Sequence, residues 1–140
     1  INNIYKKKNI IFSIFNSYPR YAGPREALFH ALIRKNYGCT HFLVGRDHAG
    51  IGNYYKKYQS QEMCKKYEEK IKIKIIGFRE PYLCNTCKSI INSKCTICKG
   101  KKIQLVKGTY IRNMLNKKLA IPSFYMRKEI SKILNKNSII

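Results

Sequence analysis

The clearest pattern of apolar and polar positions begins at Pro24. Ala27, Leu28, Ala31 and Leu32 recur at three- and four-residue intervals, the spacing of one helix face. Gly23-Pro24-Arg25-Glu26 supplies its start, with proline at the first helical position and an acid in the first turn. Residues 36–38 close that helix. Residues 40–44 are a short, mostly apolar run and predict a buried strand, which stops abruptly at Gly45-Arg46-Asp47-His48-Ala49-Gly50. Residues 54–70, rich in Tyr, Lys, Glu and Gln, predict a second helix, and residues 72–78 begin by alternating and predict a second strand. Further on, residues 103–106 read as a short strand, 109–117 as a helix and 122–134 as a final amphipathic helix. Residues 1–19 are weakly periodic and predict no element. Helix, strand, helix, strand in that order predicts an α/β sheet with parallel neighbours.

With 140 residues, 44% of them hydrophobic, the chain can bury one real core and has room besides for a small metal-stapled insert. No apolar run approaches the roughly 18–20 residues of a membrane span. Residues 9–15 have the length of a signal-peptide core, but no small-residue cleavage site follows, only Tyr18-Pro19-Arg20. The first residue is Ile1 rather than Met, which predicts a fragment and makes a missing targeting signal uninformative.

Charge adds three readings. Against 29 Lys and Arg stand 7 Asp and Glu, a net +22. Such a balance suits a polyanion partner (RNA, DNA or an acidic membrane surface) and would also steer a small anionic ligand inward. It equally follows from AT-rich codon usage, since Lys, Ile and Asn are all abundant and Lys6-Lys7-Lys8 is the only basic run of three. The few acids and the lack of a Ser-His-Asp arrangement count against glycosidase and protease chemistry.

Four of the six cysteines, Cys84, Cys87, Cys95 and Cys98, form C-x2-C-x7-C-x2-C, two close pairs able to close a tetrahedron around Zn²⁺. Redox or remnant thiols and disulfides remain open alternatives. Cys39 and Cys64 read as small core residues.

Two segments carry anion-suited chemistry. Ligands of open α/β sheets bind at the carboxyl ends of strands. There Gly45 permits a sharp turn, Arg46 and His48 offer donors to phosphate oxygens, and Gly50 and Gly52 keep the following backbone open. A plain surface turn, with Asp47 pairing a nearby arginine, is the simpler alternative. The second segment is Val106-Lys107-Gly108-Thr109-Tyr110-Ile111-Arg112, where a Gly-Thr helix start exposes backbone N–H groups and Arg112 lies on nearly the same face as Thr109. An ordinary N-cap with a solvated arginine would look the same. His30 and His41 read as packing histidines, Tyr54-Tyr55 as core or interface, and Lys56-Lys57 and Lys65-Lys66 as a solvated helix face.

Taken together, Arg20-Tyr21-Ala22-Gly23-Pro24-Arg25-Glu26-Ala27, Ile33-Arg34-Lys35-Asn36-Tyr37-Gly38-Cys39-Thr40-His41-Phe42 and Val44-Gly45-Arg46-Asp47-His48-Ala49-Gly50 closely resemble the catalytic domain of the ATP sulfurylase (sulfate adenylyltransferase) family. Gly52-Asn53-Tyr54-Tyr55, Gln61-Glu62, the cysteine knuckle, residues 106–112 and Ile121-Pro122 continue the resemblance, which covers the chain beyond about residue 18. It implies a partial Rossmann-like nucleotidyltransferase fold, with a four-cysteine zinc-knuckle insert and C-terminal helices. Residues 1–83 would belong to the catalytic domain, 84–98 to the knuckle and 99–140 to a C-terminal helical part. The implied reaction joins sulfate and ATP to give adenylyl sulfate and pyrophosphate, or the reverse, by in-line attack on the α-phosphorus. Gly45, Arg46, Asp47 and His48 inherit contact with the nucleotide, as do Thr109 and Arg112, and Pro81 by its place just before the knuckle. Ala49 inherits sulfate binding through its backbone, and Mg²⁺ would accompany the ATP.

Two departures matter. The family's Q-x-R-N and H-x-x-H motifs lie upstream of this region, so no catalytic residue is assigned here, and the chain reads as the C-terminal part of a longer enzyme. Lys107 also replaces a small hydroxyl residue in the family's Gly-Thr segment. The implied protein is cytoplasmic and self-associating, without a membrane or nucleic-acid partner. A basic zinc-knuckle nucleic-acid binder and an inactive relic are the alternatives.

Overall fold

Gly23 takes a positive φ of 51° and sits buried at the head of α1 (Pro24–Asn36). A Cβ there would lie 2.5 Å from the Tyr55 ring, so the position demands glycine twice over. Glu26, in the first turn, reaches backward and accepts the N–H groups of Arg20 at 3.0 Å and Ala22 at 2.9 Å, much as a capping-box glutamate does. At the other end, Gly38 at φ 84° lets the N–H groups of Gly38 and Cys39 return to the carbonyls of Lys35 and Arg34, a Schellman closure.

These features come from a computed structural model that describes residues 10–92, 95–97, 99 and 103–136. The described residues fall into two compact units, one spanning Ile14–Arg79 and the other drawn from Ile1–Ser13 and Glu80–Ile140.

In the first unit, β1 (His41–Val44) pairs in parallel with β2 (Lys74–Gly77), Phe42 opposite Ile75 and Val44 opposite Gly77. Between them run α2 (Gln59–Lys66) and the single-turn α3 (Glu68–Ile71). Phe42, Val44, Ile73 and Ile75 pack against Ala27 and Ala31 of α1 and Cys64 of α2. Both alanines are fully buried, and their small size lets the helix backbone approach the sheet closely. Glu68 locks α3 to β2: its carboxylate accepts from Lys74 Nζ at 2.8 Å, Lys65 Nζ at 2.9 Å and the Ile75 N–H at 2.7 Å.

The second unit begins with an antiparallel sheet in the order β4-β3-β5, made of β3 (Tyr82–Cys84), β4 (Ser89–Ile91) and β5 (Ile103–Leu105). Two helices follow, α4 (Gly108–Asn116) and α5 (Lys128–Lys136). The molecule is thus a mixed α/β protein with a parallel pair and a separate antiparallel sheet. Among the described residues, no helix is long and apolar enough to cross a membrane.

Several expectations need correction. The helix expected over 54–70 begins only at Gln59, because Tyr58 adopts a left-handed φ of 67°, and it breaks at Tyr67. The last helix starts at Lys128 rather than 122, since the Pro122 carbonyl is engaged by the N–H groups of Tyr125 and Met126 in a turn. The strand expected to be wholly buried has one open face among the described residues, with His41 exposed and Leu43 55% exposed. Cys39 is exposed rather than core, because it stands just past the helix-closing glycine, whereas Cys64 is buried as expected. His41 likewise does not pack inside; its ring bonds Thr40 Oγ1 at 2.9 Å on the surface. Tyr54 is exposed, and only Tyr55 of that pair is partly buried.

Candidate functional site

The segment after β1 is held at nearly every residue. Gln61 Nε2 on α2 donates to the carbonyls of Val44 (3.1 Å), Gly45 (3.2 Å) and Phe78 (2.7 Å), tying the ends of the two parallel strands together. Gly77 makes room for that amide; a Cβ there would stand 2.5 Å from Gln61 Oε1. The Arg46 carbonyl accepts the Tyr58 N–H at 2.9 Å, and the His48 carbonyl accepts the Ser60 hydroxyl at 2.9 Å. Ala49, at φ 58°, presents its carbonyl to the Gly23 N–H at 2.9 Å. A Cβ on Gly50 would meet the Asp47 carboxylate, so a side chain there would displace that exposed group. A loop fixed this way keeps its outward groups oriented before any ligand arrives. Gly45, Arg46, Asp47, His48 and Ala49 are therefore brought together on one ordered turn, with Arg46 and Asp47 exposed and His48 half-buried.

Behind the loop lies a network that sequence reasoning missed. His48 Nε2 stands 3.0 Å from Nδ1 of His30, whose Nε2 in turn faces Glu26 Oε1 at 3.7 Å. Phe42 meets the His48 ring edge-on at 5.4 Å, and Phe15 meets His30 likewise at 6.0 Å. Burial pushes both imidazoles below the usual histidine range. The Arg34 guanidinium, stacked on the Phe15 ring at 4.7 Å, pushes both the same way. Burial pushes the Glu26 carboxyl up, but the Arg20 and Ala22 N–H groups and the facing His30 outweigh it and hold it below its ordinary value. The signal for this line was the i, i+4 spacing of Glu26 and His30 on α1. It became informative only once the fold brought His48 alongside.

The remaining candidates lie in the second unit. Pro81 is exposed and lines a shallow depression with Ser89 to Asn92 and Cys95 to Ile97. Thr109 and Arg112 meet in the first turn of α4, with Arg112 Nη2 donating to Thr109 Oγ1 at 3.2 Å. The guanidinium folds back over Gly108, where a Cβ would stand 3.3 Å from Nη1.

The sulfurs of Cys84, Cys87 and Cys95 all lie within 4.8 Å of one another, Cys84 at the end of β3 and the others in the turns beyond. Cys98 lies outside the described residues. Cys87 Sγ is 3.7 Å from Cys95 Sγ, matching the edge of about 3.8 Å expected for a tetrahedron with Zn–S bonds of about 2.3 Å. The Cys87 N–H points at Cys84 Sγ at 3.5 Å, as in metal knuckles. Hydrogen bonding to the Cys95 and Cys84 sulfurs, with burial, pushes the Cys87 thiol up to about 12. Thiols this crowded ionise together only around a cation, so the donor set fits a soft divalent metal.

An α/β protein with a donor-rich turn at the carboxyl end of a parallel strand, and a thiol cluster beside a small antiparallel sheet, is the class these features define. The chain belongs to the ATP-sulfurylase family, whose model matches residues 1–137. It is 41% identical over 138 residues to the sulfate adenylyltransferase of Carboxydothermus hydrogenoformans, covering 97% of this chain and 36% of that protein. It is 38% identical over 135 residues to that of Ignicoccus hospitalis and 36% identical over 135 residues to that of Chloroflexus aurantiacus. Each of those matches covers 96% of this chain and 35% of the relative. The chain thus spans about a third of the length of the curated relatives it matches.

Proposed function

We propose that this chain is the C-terminal part of a sulfate adenylyltransferase, contributing nucleotide and sulfate contacts to a site completed by upstream motifs. A sulfate oxygen attacks the α-phosphorus of ATP in line, the bond to the bridging oxygen breaks, and pyrophosphate leaves; the reverse direction regenerates ATP. The observation that carries this reading is the pinned 45–50 turn at the carboxyl end of β1 in a member of this family. Arg46 would neutralise phosphate charge, and a fixed backbone suits a reaction that depends on positioning and on stabilising developing charge. Gly45, Asp47 and His48 complete the nucleotide contacts, and Ala49 offers its backbone to sulfate. Pro81 is assigned to the adenine, and Thr109 with Arg112 to further nucleotide contacts at the head of α4.

The surrounding framework would be a Rossmann-like nucleotidyltransferase domain over residues 1–83, a knuckle over 84–98 and a helical part over 99–140. Cys84, Cys87, Cys95 and Cys98 would hold a structural Zn²⁺. Mg²⁺ would arrive with ATP and neutralise its phosphates. The setting is cytoplasmic and the enzyme self-associates.

In the full-length protein, Arg46→Ala should lower adenylyl sulfate turnover at least a hundredfold while leaving the melting temperature within a few degrees. Turnover by the pyrophosphate-release assay that matches the parent would sink the assignment.

A further inference from the structure

Three ionisable side chains stand in line, His48 of the 45–50 turn with His30 and Glu26 of α1 behind it. Glu26 is fixed by the N–H groups of Arg20 and Ala22, so its carboxylate cannot swing away from His30. A carboxylate favours the imidazole proton on the nitrogen nearest to it. At 3.7 Å from Glu26 Oε1 that nitrogen is His30 Nε2, which leaves His30 Nδ1 as an acceptor. A neutral imidazole carries one N–H and one lone pair. The 3.0 Å contact between His30 Nδ1 and His48 Nε2 therefore needs His48 to donate from Nε2, leaving a lone pair on His48 Nδ1. The rings cross at 79°, and Phe42 bounds His48 on another side, so the ring has little freedom to turn over.

We infer that His30, oriented by Glu26, is a positioning residue that fixes His48 in its Nε2–H form, so that His48 offers a bound nucleotide an acceptor at Nδ1. This rests on reading the 45–50 turn as the nucleotide site. A lone pair suits a donor on the nucleoside end, a ribose hydroxyl or the exocyclic amine of adenine, and is repelled by phosphate oxygens. Phosphate recognition then falls to Arg46, and His48 discriminates the nucleoside.

The test uses the full-length protein, labelled with ¹⁵N-histidine, and its affinities for ATP and for inorganic tripolyphosphate. The expected result is a His48 protonated on Nε2 and bare on Nδ1. His30→Ala should give mixed tautomers and bind ATP about tenfold more weakly, with tripolyphosphate affinity unchanged. His30→Asn, whose Oδ1 can stand where Nδ1 stood, should keep the tautomer and bind ATP within about threefold of the parent. ATP analogues without a ribose hydroxyl or without the amine identify the donor, because the His30→Ala penalty vanishes for the one that lacks it. A His48 protonated on Nδ1, an unchanged tautomer in His30→Ala, or an equal loss of tripolyphosphate affinity would overturn the inference. Unchanged ATP affinity in Arg46→Ala would instead overturn the nucleotide-site reading, and the tautomer measurement would still stand by itself.

Discussion

Glu68 and Glu26 are both buried carboxylates, and each is held by donors from within seven residues along the chain. Three hydrogen bonds, from Lys74, Lys65 and the Ile75 N–H, outweigh burial and hold the Glu68 carboxyl down to about 2, against an ordinary 4.5. Its contribution to stability is therefore complete above about 4.5 and is lost as the pH falls toward 2. Both lysines are at least half exposed, so the pairs are screened, and Glu68→Gln should cost only about 1 kcal/mol at neutral pH. Urea unfolding of parent and variant should show that difference shrinking across the acid range; a difference that persists at pH 2 would mean the carboxylate does not act through its charge. That a sharp turn follows β1 at residues 45–50 was legible from its glycines, whereas type and order alone left a ligand loop and a plain surface turn both open. Glu26 and His30 were not legible, because an acid and a histidine inside a helix look alike whether they face solvent, core or a distant ring.

Whole elements were legible where one face had to be buried. α1 and the two parallel strands follow directly from apolar spacing, since Ala27, Ala31, Phe42, Val44 and Ile75 meet in one core. Boundaries were lost where backbone conformation decided them, at the left-handed Tyr58 and at the turn after Pro122. Of the antiparallel sheet only β5 was foreseen, as the strand at residues 103–106; β3 and β4 were missed because three-residue strands are too short to show alternation, and their register depends on the cysteine turn between them. That dependence makes a prediction. On the proposal that these cysteines hold Zn²⁺, the parent should carry one zinc per chain by elemental analysis and Cys87→Ser only a small fraction, with the knuckle unfolded, since metal binding and folding are coupled in such sites. Zinc-free protein with an unchanged near-ultraviolet spectrum would refute a structural metal. The thiol cluster itself was visible in the spacing of the cysteines, although which partners stand closest came only with the fold.

At the scale of the molecule, about a third of the relatives' length holds an ordered strand-end turn and a thiol cluster, each built locally. Parallel sheets are normally covered on both faces. Among the described residues of the first unit, the pair β1 and β2 is covered on one, while Leu43 and Ile76 remain open on the other, 55% and 39% exposed. An open apolar face favours association with a second copy, and a net charge of +22 opposes it by repulsion. The colloidal behaviour of a polypeptide of these residues should then run opposite to that of a protein held together by surface ion pairs. Dilute buffer should keep it monodisperse. Ionic strength above physiological, where the screening length falls below about 8 Å, should let particles grow in light scattering.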